Sequence, residues 1–133
     1  MKRMILLFTV IIGFYSASGQ SNPKPPQEVK VLPIHDVSSI VTGIVSVLKS
    51  KLALSDSQGP QVSNVITDFI NKKVAILPLA KTDPAGYRNK FGILHEAMTT
   101  EFNTFLSGAQ YSKLLGLKPR LPKNDDLLSH LFF

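Results

Sequence analysis

The chain contains no cysteine. Disulfides are excluded, and so is lipid attachment through a cysteine, so a small domain of this kind must stand on its core alone. No long alternation of apolar and polar residues is present, which leaves no sequence signal for an extended sheet. No glycine-rich phosphate loop exists, and Gly59–Pro60 reads as a kink signal. A dense basic stripe with interleaved aromatics is also missing. The cations fall instead into pairs and triples, Lys49/Lys51, Lys72/Lys73, Arg88/Lys90 and Lys118/Arg120/Lys123, which argues against nucleic acid as a partner. The one long apolar run, Met4–Phe14, falls short of the roughly 20 residues needed to span a bilayer.

That run follows Lys2 and Arg3 and precedes the small residues Ser16 to Gly19. This is the layout of a secretory signal peptide, residues 1–19, with cleavage expected before Gln20. Removing it lowers the formal charge from +6 to +4, leaves no integral membrane segment, and places the protein in the bacterial periplasm or outside the cell. Residues 20–35 carry Pro23, Pro25, Pro26 and Pro33, which bar a helix interior because proline lacks an N–H and clashes with the preceding turn. They predict an extended, flexible leader.

From Asp36 the pattern turns helical. Asp36 is a candidate N-cap, and Val37, Ile40, Val41, Ile44, Val47 and Leu48 recur at spacings of three and four through about Leu52. A second stripe follows in Val62, Val65, Ile66, Phe69, Ile70, Val74, Ile76 and Leu77. It runs to about Ala80, with Pro78 expected to bend or break its far end. Asp83 and Pro84 form a fresh start, with the aspartate as N-cap and the proline at the first helical position. The clearest helix comes next, with Tyr87, Phe91, Leu94, Met98, Phe102 and Phe105 on one face. A short helix with Tyr111, Leu114 and Leu115 ends at Gly116 and Pro119. Residues 120–133 hold an apolar cluster, Leu127, Leu128, Leu131, Phe132 and Phe133, behind Asn124/Asp125/Asp126. They read either as a docked amphipathic turn or as a free tail, and the tail is favoured. The expected fold is all-α: three long helices and one or two short ones forming a small bundle over 36–119.

One phrase is written twice, Leu54-Ser55-Asp56-Ser57-Gln58 and Leu106-Ser107-Gly108-Ala109-Gln110. A serine N-cap accepts from the N–H three residues on, and a glutamine there reaches back to the N–H of the cap, which makes a capping box. Leu54 and Leu106 precede the caps, where an apolar side chain staples the incoming chain to the first turn. Each phrase therefore predicts a helix start, and losing one cap would cost roughly 1 kcal/mol. Pro60 complicates the first box. Counted from Ser55 it is the fifth helical residue, so either the helix kinks there or regular helix begins near Gly59.

A twice-used Leu-Ser-x-x-Gln phrase in an exported helical chain of this size resembles the Spy/CpxP family of periplasmic proteins, known by its LTxxQ motif. The resemblance covers roughly Leu52–Pro119. It implies an extended helical hairpin, a possible homodimer, and unfolded or envelope proteins as partners of an ATP-independent, holdase-like chaperone or stress-response protein. Three departures stand out: Ser replaces Thr in both motifs, Pro60 follows the first, and basic residues are sparser than a chaperone cradle implies.

Catalysis finds no support among these residues. Ser55 and Ser107 have a capping job and no nearby histidine. Glu96 and Glu101 lie five apart, on different sides of a helix. A metal-responsive sensor built on His95 with carboxylates is an alternative implied by relatives, although His35, His95 and His130 are not spaced as a ligand set. A structural accessory that grips one envelope protein through its apolar C-terminus is a third possibility. No cofactor, metal or enzymatic activity is expected. Phe91, Leu94, Met98, Phe102 and Phe105 are either core or candidate client and dimer contacts.

Overall fold

A computed structural model describes residues 29–133. The expected signal peptide, its cleavage point and the first part of the leader lie outside the described residues. Six helices follow one another: α1 (Val37–Leu52), α2 (Gln58–Ile76), α3 (Leu79–Thr82), α4 (Pro84–Phe105), α5 (Gly108–Gly116) and α6 (Ser129–Phe132). No strand occurs among the described residues. The three long helices are α1, α2 and α4, with 16, 19 and 22 residues. The all-α expectation is met, and α3 and α6 add two single turns to it.

Local chemistry sets the helix ends. The Asp36 carboxylate accepts from the Ser39 hydroxyl at 2.8 Å and the Ser39 N–H at 3.3 Å. Those bonds hold its pKa below the ordinary carboxylate value. The regular α-helical ladder of α2 starts at Gln58 after a turn through Asp56 and Ser57. Pro60 thus falls in the first turn of α2, where an N–H has no intrahelical partner to lose. Pro78 ends the second stripe as expected, separating α2 from α3. Asp83 caps α4 through the Gly86 N–H at 3.0 Å, with Pro84 directly after it. A Cβ on Gly86 would run into the Asp83 carboxylate, so this cap in its observed form requires glycine.

The end of α1 carries a strain that the periodicity does not reveal. Ala53 sits in the left-handed region at φ 49°, and the Leu54 N–H reaches back to the Lys49 carbonyl at 3.2 Å. This is a Schellman-type ending, normally given to glycine because a Cβ is penalised there. Ala53 is exposed, so removing its methyl group loses no packing, and the relief of the left-handed backbone outweighs glycine's extra freedom in the unfolded chain. Ala53→Gly is expected to raise stability by about 0.5–1 kcal/mol, read as an upward shift of the urea midpoint. A downward shift would show that the ending is not strained.

α2 is central and packs against both α1 and α4, while α5 bridges α1 and α4. The core joins Ile44 and Leu48 of α1, Val62, Ile66, Phe69 and Ile70 of α2, Met98 and Phe102 of α4, Leu114 of α5 and Leu131 of α6. Burying each such side chain contributes roughly 1.5–3 kcal/mol, which is how a chain without disulfides holds together. Among the described residues no helix is long and apolar enough to cross a membrane.

Two expectations about the ends of the domain need correction. The leader joins the folded unit before His35: Leu32 is buried and lines a cavity with Leu77, Ala80 and Pro122. The segment 120–133 is not a free tail. Leu128, Leu131 and Phe132 belong to the core cluster, because five apolar residues in seven positions find uncovered apolar surface on the three long helices.

Candidate functional site

Both repeated phrases form the boxes that their spacing predicts. The Gln58 N–H donates to the Ser55 hydroxyl at 3.3 Å, and the Gln58 Oε1 accepts from the Ser55 N–H at 3.0 Å. In the second box the corresponding distances are 3.1 and 2.9 Å for Gln110 and Ser107. Leu54 and Leu106 are buried in the core behind them.

The structure then does something the capping argument does not foresee. The two glutamines meet. Gln58 Nε2 donates to Gln110 Oε1 at 2.8 Å, and Gln110 Nε2 donates to Gln58 Oε1 at 3.0 Å. The second N–H of each amide finds a backbone carbonyl, Phe105 for Gln58 at 3.1 Å and Leu52 for Gln110 at 3.3 Å. Leu52 and Phe105 are the last residues of α1 and α4, whose terminal carbonyls have no intrahelical donor. Each glutamine therefore secures the start of its own helix and the end of another. Both donors and both acceptor positions of each amide are used, and four helix ends are joined at one point.

A second polar cluster lies in the core, and the sequence reading passed over it. Lys73 is fully buried on α2. Its Nζ donates to the His130 carbonyl at 2.7 Å and sits 5.3 Å from the Phe91 ring centroid. Burial pushes its pKa down to about 7. Along α4, Tyr87, Phe91 and His95 stack in a column with ring centroids 6.0 and 5.8 Å apart. His95 Nδ1 lies 2.8 Å from the Leu131 carbonyl; a carbonyl only accepts, so the proton is on that nitrogen. Burial, then the Lys73 charge, pushes His130 down to about 4. Burial pushes the Tyr87 hydroxyl up to about 12, and neither that hydroxyl nor His130 Nδ1 has a hydrogen-bond partner in the structure. One signal would have found Lys73: it follows Ile66, Phe69 and Ile70 by seven, four and three residues, on the apolar face of its helix.

The candidate contacts divide. Met98 and Phe102 are buried, while Phe91, Leu94 and Phe105 are half-buried against the core. As a set they are core, not a free surface. Phe91 also lines a cavity of about 750 Å³ with Tyr87, Leu121 and Phe132, and Leu94 a shallow groove of about 300 Å³ between α2 and α4, shared with Ala75, Ile76 and Ile93 and edged by Lys72 and Lys90. Ile93 is 62% exposed in it. Lys72 bonds Asp68 at 2.7 Å one turn away.

Among the described residues no three histidine, aspartate or glutamate side chains are grouped so as to hold a metal ion. No family model, no curated protein and no solved structure matches this chain.

Proposed function

We propose that this is an exported helical binding protein of the LTxxQ type, one that holds apolar segments of unfolded or envelope proteins without ATP and without making or breaking bonds. The observation that carries the reading is the α2–α4 groove, where Ile93 projects into solvent beside Ile76 and Leu94 between two lysines. An apolar floor with a cationic edge suits a client segment that mixes leucine or aromatic residues with acids. The paired boxes support it as well, since they are the two phrases that resemble the LTxxQ motif and both form as capping boxes.

Purified mature protein is expected to suppress aggregation of an unfolded client at equimolar amounts. Ile93→Asp should weaken that suppression about fivefold while leaving the melting temperature within a few degrees of wild type, because an exposed position contributes little to stability. Absence of suppression by the wild-type protein would end the holdase reading. Equal suppression by the variant would remove the groove from it.

A further inference from the structure

The C-terminal segment crosses all three long helices. Leu127 lies against Gly43 of α1 so closely that a Cβ there would meet its Cδ1 at 2.6 Å. On α2, Lys73 holds the His130 carbonyl. On α4, His95 bonds the Leu131 carbonyl, and its ring lies 5.6 Å from that of Phe132. Leu128 and Leu131 are buried beneath. Within the segment, the Leu128 N–H bonds Asp126 and the Ser129 hydroxyl accepts from the Lys123 N–H.

The chemistry of this docking is unusual for a fixed part of a core. The two side chains that hold the segment donate to main-chain carbonyls, groups that every polypeptide carries. The remaining contacts are leucine and phenylalanine against an apolar floor. Nothing in them reads a particular sequence. Among the described residues no ion pair ties the segment down, and two buried polar atoms, His130 Nδ1 within it and Tyr87 Oη on α4, have no hydrogen-bond partner. Unpaired buried groups weaken the docked state relative to a fully satisfied one.

We propose that residues 121–133 are a built-in occupant of a second polypeptide-binding face, formed by Gly43, Lys73, Phe91 and His95, and that a leucine- and phenylalanine-rich segment of an unfolded chain takes their place when they lift. This inference rests on the holdase reading and adds a covered site to the open groove. Lys73 and His95 supply sequence-independent recognition of carbonyls, and the aromatic column supplies the apolar floor.

The absence of native cysteine makes a direct test simple. In the full chain, the pair Gly43→Cys and Leu127→Cys places two thiols where the segment lies against α1. The probe is a fluorescein-labelled synthetic peptide copying residues 121–133. It should bind the reduced protein and bind the oxidised, stapled protein at least tenfold more weakly, with dithiothreitol restoring binding. Equal binding to both forms overturns the proposal. A reduced, carboxymethylated lactalbumin should then displace the peptide from the reduced form. If the protein holds this client but the peptide stays bound, the holdase reading stands and the covered site falls. If the peptide responds to the staple and no client is held, the covered site stands as a peptide site and the holdase reading falls. A dimer by solution mass that dissociates on stapling would put a second copy's segment on the face and overturn the client as occupant. The unmodified chain gives an independent check by hydrogen exchange. The Leu131 and Phe133 amides should exchange through an opening that leaves α2 protected, and exchange only with global unfolding would overturn the proposal.

Discussion

Gln58→Glu is expected to destabilise the protein by about 2–4 kcal/mol, although by local rules the substitution should be neutral or helpful. Glutamate is the favoured third residue of a capping box, and a carboxylate suits the positive end of a helix. The Ser55 box would survive, because a carboxylate oxygen accepts the Ser55 N–H as readily as the amide does. The loss comes from across the molecule. Glutamate cannot donate, so the Phe105 carbonyl and Gln110 Oε1 each lose a hydrogen bond. A negative charge also arrives at the carbonyl end of α4, where the helix dipole opposes it. A part-buried Phe105 carbonyl left without its side-chain donor, and a Gln110 Oε1 reduced to the Ser107 N–H alone, account for the size of the effect. Gln110→Glu should cost a similar amount through the Leu52 carbonyl. In the double variant two carboxylates face each other, and the combined loss should exceed the sum and shrink as pH falls into the range where one carboxylate takes up a proton. Urea denaturation of the four proteins measures this. If Gln58→Glu matches wild type within about 0.5 kcal/mol, the boxes act separately and the cross-pair contributes nothing.

Lys73→Met should move stability the other way. The amine is buried with no carboxylate beside it; the groups around it are the Phe91 ring, the His130 carbonyl and the His130 imidazole. Burial lowers its pKa from 10.5 to about 7. The unfolded chain keeps the ordinary value, so between those limits it binds more protons than the folded one. Stability therefore climbs as pH rises from about 7 to 10.5, and below about 7 the whole penalty is present and constant. Methionine has nearly the same length, no charge to desolvate and good contacts with aromatic rings. It forfeits one hydrogen bond, about 1 kcal/mol, against a larger relief. A net gain of about 1–3 kcal/mol at pH 7 is expected, together with loss of the slope between pH 7 and 10.5. His130, freed of the lysine charge, should titrate higher than about 4, visible in its imidazole NMR signals. A variant less stable at pH 7 with an unchanged slope would mean that Lys73 keeps its ordinary pKa in the fold, is charged there, and stabilises through its hydrogen bond.

Much of the fold was legible because it is local. Asp36, Asp83-Pro84 and the two serine boxes announce helix starts through bonds that span three residues, and Pro78 announces an end through the donor it lacks. The three long stripes follow from 3.6 residues per turn. What misled the reading was also local. Apolar residues at 127–133 look the same in a free tail and in a docked segment, and only the uncovered surface of α1, α2 and α4 distinguishes the two. The stripe from Tyr87 to Phe105 cannot say which of its members face outward, since that depends on where α2 and the C-terminal segment lie. Lys73 looked like half of a surface pair with Lys72, although its helical phase placed it on the inner face.

The sequence by itself determined the helices, their caps and the repetition of one capping phrase, since each rests on contacts within a turn or two of the chain. Only the tertiary structure decided that the two phrases lock together, that a lysine lies buried under a histidine carbonyl, and that the last residues cover the core. Those arrangements join positions 36 to 84 residues apart, and which polar group meets which is fixed by how the apolar faces pack, a property of the assembled core that no short stretch encodes.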